Sequence, residues 1–206
     1  MSLLKSLTRP FSREKRDFRR ALLETIPQGG VCAEVGVWKG TFSRRILDVT
    51  KPSKLHLIDP WSFQPQYPDR IYGGKVAEGQ DDMEQIYQNV CAEFGDIPEV
   101  EIHRGYSDQL LAAFPDGYFD WLYVDGNHYY DFVLSDLTLG WQKLKPGGLM
   151  IGDDYDWGKR DGYPVKRAVA EFMRQHEIQT RPKIVHSQFV FSKPHDQEAV
   201  EKLKRA

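Results

Sequence analysis

Hydrophobic positions along this chain switch between a helical and a strand period. Phe18, Leu22 and Ile26 share one face of a first helix that Ser12 can cap and that Pro27, Gly29 and Gly30 end. An apolar run at 31–36 reads as a buried strand. A helix over 41–49 follows, with Phe42, Ile46 and Val49 along one side, and 55–59 is the second strand. Further on, Met83, Ile86, Val90 and Phe94 mark an amphipathic helix, 100–103 a third strand, 108–114 a short helix and 119–125 a fourth strand. A helix over 129–141 precedes the turn Lys145-Pro146-Gly147-Gly148, which feeds a fifth strand ending at Asp153. Pro164 suits the first turn of a helix whose Val165, Val169 and Phe172 point inward. Residues 178–192 supply two last strands and 195–204 a terminal helix. Strands alternating with helices predict an α/β fold: seven strands, mostly parallel, helices on both faces, one domain over 1–206 and no internal repeat.

Residues 60–80 break the rhythm. Three prolines and three glycines stand among Trp61, Phe63, Tyr67 and Tyr72, without periodicity. Loops of that length in compact domains are often lids or binding loops. A disordered insertion is the alternative, but four aromatic side chains are many for a segment that binds nothing.

Composition narrows the classes. The 206 residues carry a formal net charge of −2, so no overall basic field draws the chain to nucleic acid or to an anionic membrane. The basic run from Lys5 to Arg20 reads as a solvated face or as a contact within a homo-oligomer, ahead of polyanion binding. Cys32 and Cys91 are too few for a metal knuckle or a disulfide framework and read as small core residues. No apolar stretch is long enough to span a bilayer and the first seven residues are too polar for a secretory signal, so a cytoplasmic location is expected.

Chemistry concentrates at the strand ends. After the first strand, Glu34-Val35-Gly36-Val37-Trp38-Lys39-Gly40 is a glycine turn leading into a helix, which admits a ligand close to backbone N–H groups. A dinucleotide fingerprint would need glycine where Trp38 stands, which argues against a nicotinamide dehydrogenase. Asp59, ending the second strand, can accept ribose hydroxyls. The fourth strand ends in Asp125-Gly126-Asn127-His128-Tyr129 and the fifth in Gly152-Asp153-Asp154-Tyr155, both at the carboxyl edge where open α/β sheets bind ligands. Three carboxylates brought together there need a cation, a proton or a basic side chain. Oxygen ligands alone favour a hard ion such as Mg²⁺.

From about Val31 to Phe172 the chain resembles the class I S-adenosylmethionine-dependent methyltransferases. More narrowly it resembles small bacterial sugar O-methyltransferases related to the macrolide- and aminocoumarin-sugar enzymes. The motifs that carry this are Glu34-Val35-Gly36-Val37, Val124-Asp125-Gly126-Asn127-His128-Tyr129, and Leu144-Lys145-Pro146-Gly147-Gly148 with Gly152-Asp153-Asp154. The resemblance implies a Rossmann-like fold and S-adenosyl-L-methionine held by Glu34, Gly36, Trp38, Gly40, Asp59, Ser107 and Asp125. It places Glu34 near the methionine amino group and Ser107 near adenine, although Ser107 can also cap the helix from 108. In metal-dependent relatives the matching acids hold Mg²⁺, here Asp125, Asp153 and Asp154. Two departures stand out: Asn127 where the sugar enzymes tend to have a second Asp, and His128 where catechol-type relatives have a lysine base.

An imidazole, with an ordinary pKa of about 6.5, suits the removal of a proton from an activated hydroxyl. His128 is therefore read as catalytic general base, working with Asp125; its other reading is a cap or ligand-orienting group beside Tyr129. The expected reaction is in-line transfer of a methyl group to a hydroxyl of a sugar or oligosaccharide. Trp61, Phe63, Tyr67 and Tyr72 would face Tyr155, Trp157 and Tyr163 across the mouth of the site. A phenol or catechol acceptor would also fit, as would a non-catalytic cofactor-binding protein. A nucleic-acid amino-methyltransferase would show Asn/Asp-Pro-Pro-aromatic where this chain has Asp125-Gly126-Asn127-His128.

Overall fold

A computed structural model describes residues 18–195. Ser12, most of the basic run and the helix expected over 195–204 lie outside these residues, His195 apart. The described chain begins in a helix, α1, that runs through residue 23, with Leu22, Leu23 and Ile26 buried behind it. Then follow β1 (Val31–Val35), α2 (Thr41–Thr50), β2 (Lys54–Asp59), α3 (Gln80–Phe94), β3 (Val100–Arg104), α4 (Ser107–Ala113) and β4 (Phe119–Val124). The chain continues through α5 (Tyr130–Lys143), β5 (Leu144–Gly152), α6 (Pro164–Gln175), β6 (Lys183–Val185) and β7 (Gln188–Ser192).

The seven strands form one sheet in the order β3-β2-β1-β4-β5-β7-β6. The first five are parallel, and β7 runs antiparallel to both β5 and β6. This is the mostly parallel, helix-flanked sheet that the alternating pattern predicts, in the Rossmann-like form that the resemblance implies. Parallel strands need helices on both faces, so their sequences are apolar on both sides, as the buried runs of β1 and β2 show. One core cluster gathers Phe42, Ile46, Met83, Val90 and Phe94 from α2 and α3 against Cys32, Leu55, Leu57 and Trp121. The other gathers Leu111, Val133, Leu137, Trp141, Val169 and Phe172 from α4 to α6 against Ala33, Ile58, Leu122 and Met150. Full burial of one such side chain contributes about 1.5–3 kcal/mol. Cys32 is buried and Cys91 only partly so.

β1 pairs with β2 on one side and β4 on the other, so the order reverses there and a crevice opens beyond their carboxyl ends. The turn expected at 145–148 appears as an irregularity inside β5: pairing jumps from Phe119–Leu144 to Trp121–Leu149. Residues 60–80 form a packed loop that carries one short turn, Ile71–Lys75. Trp61 is completely buried, and its indole N–H donates to the Trp38 carbonyl at 2.9 Å. No helix among the described residues is long and apolar enough to cross a membrane.

Candidate active site

A cleft of about 440 Å³ opens at the β1/β4 crevice, lined by residues following β1, β2, β3, β4 and β5 and by the 60–80 loop. Its floor depends on Gly36. That residue has φ +91°, and a β-carbon there would run into the Asp125 carbonyl and the Gly126 backbone. Only glycine lets the turn after β1 and the turn after β4 lie this close. Trp38 also takes a left-handed backbone, φ 54°. Gly40, the residue before α2, is buried with φ +73°; a side chain there would meet the Phe94 ring. Its glycine is thus demanded by core packing, and it is not part of the cleft wall.

Two acids stand at the β1/β2 edge. Asp59 Oδ2 accepts the backbone N–H groups of Val37 and Trp38, both at 3.0 Å, and Oδ1 accepts that of Trp61 at 2.7 Å. A carboxylate has about four acceptor positions. A ribose edge would therefore meet one open position on Oδ1, where the sequence suggests room for two hydroxyls. Glu34 is buried and accepts the Ser43 hydroxyl on Oε2. Burial pushes its pKa up to about 8, against the Ser43 hydrogen bond and with Asp125 adding to the rise.

Beyond β3, Ser107 is the first residue of α4 and makes no cap; its hydroxyl donates to Asp136 Oδ1 at 2.5 Å. Both line the cleft. Asp136 is a buried carboxyl on α5 whose pKa burial raises to about 7, opposed by the Ser107 hydrogen bond. It was absent from the sequence-derived set. The signal for it is its place on the inward stripe of α5 between Val133, Leu137 and Gly140, all buried.

At the β4/β5 edge, His128 lies between two carboxylates, with Nε2 3.3 Å from Asp125 Oδ1 and Nδ1 3.6 Å from Asp154 Oδ2. It is not the cap of α5; Tyr129 holds that position, and no side chain caps the helix. Asp154 adopts a left-handed backbone, φ 54°, which brings it to the cleft while Asp153 turns inward. Asp153 is buried, and its Oδ1 accepts the Asp154 N–H at 2.8 Å and faces the Ser187 hydroxyl at 3.3 Å. Arg19 of α1 donates to Asp125 Oδ2 at 3.0 Å and pairs also with Asp153. The compensating cation beside these acids is thus a guanidinium from far away in sequence.

Asp125, His128 and Asp154 each offer one atom within 4.8 Å of the others, a set that could hold a metal ion. Of the expected trio, Asp125 and Asp154 belong to this set, and the buried Asp153 pairs with Arg19. Two carboxylates and an imidazole fit a divalent cation, although the nitrogen donor suits a softer ion than Mg²⁺ as well. A second such group, His56, Glu101 and His103, sits on β2 and β3, with His56 Nδ1 2.9 Å from His103 Nε2, and does not line the cleft. Of the seven aromatic residues expected around the mouth, Tyr72 and Trp157 line the cleft. Trp61 and Phe63 pack on the core, Tyr155 lies against Phe189, and Tyr67 stacks behind Tyr129.

Sheet order, a glycine turn against the fourth strand and acids at the carboxyl edge together make an open α/β sheet with its ligand crevice at the switch point. A family model described as "Methyltransferase domain" matches residues 33–155. The chain belongs to this methyltransferase family, and its fold is that of the class I S-adenosylmethionine-dependent enzymes. No curated protein sequence matches it significantly. Among solved structures it is similar to the O-methyltransferase NovP, at 22% identity and a TM-score of 0.59, over 88% of this chain and 80% of that one. It is similar too to the N-methyltransferase NodS from Bradyrhizobium japonicum WM9, at 14% identity and a TM-score of 0.57, over 91% and 99%. An O- and an N-methyltransferase share the fold, so the acceptor atom must be argued from side chains.

Proposed function

We propose that this methyltransferase transfers the methyl group of S-adenosyl-L-methionine to a hydroxyl oxygen of a sugar or oligosaccharide, with His128 as proton acceptor. The observation that carries the reading is the imidazole held between Asp125 and Asp154 at the cleft. An amine acceptor reaches its nucleophilic form near neutral pH far more readily than an alcohol does, so it has less need of a positioned base. A sugar hydroxyl needs its proton removed as the bond to carbon forms. In-line attack of that oxygen on the cationic sulfonium's methyl breaks the carbon–sulfur bond and leaves neutral S-adenosylhomocysteine, while the proton goes to His128. Asp125 and Asp154 orient the ring and stabilise the imidazolium that results. Holding both reactants in line can supply about 7–11 kcal/mol of barrier reduction in favourable cases.

Asp125 and Asp154, with Asp153 beside them, are the carboxylates that would hold a divalent cation, Mg²⁺ in the reading favoured here, which leaves the His128 imidazole uncoordinated to take the proton. The cation's chemistry would be to orient and acidify an acceptor oxygen. Glu34, Asp59 and the Gly36 turn serve the methionine and ribose parts of the donor, and Ser107 with Asp136 the adenine end. The Trp157 and Tyr72 rings offer flat apolar surfaces to the C–H face of a sugar.

The test is product analysis by mass spectrometry and NMR on a panel of sugars, catechols and amines, with chelator and with added Mg²⁺. A methyl ether of a sugar, formed only with the divalent ion, is the expected result. Methylated amine as the sole product would refute O-transfer, and full turnover in excess chelator would remove the metal.

A further inference from the structure

One cation in the cleft wall has no part in the chemistry just described. Arg70 precedes the turn Ile71–Lys75, and its backbone is fixed on both sides: its N–H donates to Tyr67 at 2.9 Å, and its carbonyl accepts from Gly73 at 3.1 Å and Lys75 at 3.0 Å. The guanidinium carbon lies 3.7 Å from the centre of the Trp157 ring and 4.9 Å from that of Tyr129. Nε is buried and makes no hydrogen bond. Arg19 is paired with Asp125 and Asp153, whereas no carboxylate among the described residues forms an ion pair with Arg70.

Stacking on aromatic rings occupies the faces of a guanidinium and leaves its N–H edge, which matches a carboxylate or phosphate in paired hydrogen bonds. The residue is half-buried with only Nε shut away from solvent, and the cleft is the place from which an anion can reach its open N–H edge. We propose that Arg70 anchors an anionic group of the acceptor, a carboxylate or a phosphate, so that the substrate class is acidic sugars. The Trp157 ring centre is 5.5 Å from that of His128. Arg70 and His128 thus both border the Trp157 indole in the cleft wall, so one acceptor can present an anion to the first and a hydroxyl to the second. This rests on the hydroxyl-transfer reading above. The methionine carboxylate of the donor is the other source of the same chemistry, although the reading above gives that end of the donor to Glu34 and the Gly36 turn.

NMR titration of the protein loaded with S-adenosylhomocysteine decides it, using glucose, glucuronate and glucose 6-phosphate as probes. At least one anionic probe is expected to bind roughly tenfold or more tightly than glucose. Arg70→Gln should abolish that preference while leaving the affinity for S-adenosylhomocysteine unchanged. The proposal is overturned if neither anionic probe exceeds glucose, or if Arg70→Gln keeps the preference. It is overturned as well if Arg70→Gln weakens S-adenosylhomocysteine instead, which would assign Arg70 to the donor's carboxylate. An Arg70-dependent preference in a protein that methylates no hydroxyl would uphold the anion site and refute O-transfer, so the two failures are separable.

Discussion

At the ends of β1 and β2 the acids are answered locally: Asp59 takes three backbone N–H groups, and Glu34 takes the Ser43 hydroxyl one turn into α2. At the ends of β4 and β5 the acids are answered by side chains, His128 from the next turn and Arg19 from α1. Backbone donors cannot leave without unfolding the turn, so the first edge is preorganised for a fixed ligand. Long side chains can exchange a carboxylate for a substrate oxygen or a cation, so the second edge is equipped for a reaction. On the function proposed above, the difference separates donor binding from chemistry along one sheet edge.

The largest effect expected from breaking this contrast is at Asp59. Asp59→Ala removes the acceptor of three part-buried N–H groups, each costing up to about 1–3 kcal/mol where water cannot replace it. A fall of roughly 10–20 °C in Tm should follow for a chain of this size, together with loss of S-adenosylhomocysteine binding; thermal denaturation and calorimetry check both. An unchanged Tm would mean that the turn after β1 does not depend on Asp59.

A smaller effect concerns pH. Burial raises Glu34 to about 8 and Asp136 to about 7. A carboxyl raised in the folded state contributes stability that is fully present below its ordinary range and is lost as pH rises through the raised value. The unliganded protein should therefore lose about several degrees of Tm between pH 5 and pH 9, and Glu34→Gln should flatten the slope at its alkaline end. A ligand with a cationic amino group beside Glu34 should bind more tightly as pH rises toward about 8, since pairing needs the carboxylate. Stability rising with pH across this window would contradict the assignment.

Much of the fold was legible because strand and helix periods differ and because parallel strands must be apolar on both faces. Glu34, Asp59, Asp125 and Asp154 could be found since each lies at or just past the end of a strand that the pattern marks. Arg19 could not, because it meets Asp125 across 106 residues and sits in a basic run that looks solvated. Arg70 lies in a segment without periodicity. Ser107 looked like a cap because serine commonly is one before a helix, and its partner Asp136 appears only when inward positions on α5 are compared. Asp153 and Asp154 are adjacent and identical in sequence; the left-handed backbone at Asp154 sends one inward and the other to the cleft.

The claim that donor binding and chemistry occupy separate edges is tested most directly on His128→Ala, with turnover and S-adenosylhomocysteine affinity measured on one preparation. Turnover should fall by roughly 10²–10⁴-fold while the dissociation constant stays at its wild-type value. Turnover within a few-fold of wild type, or a matching loss of cofactor affinity, would contradict the account.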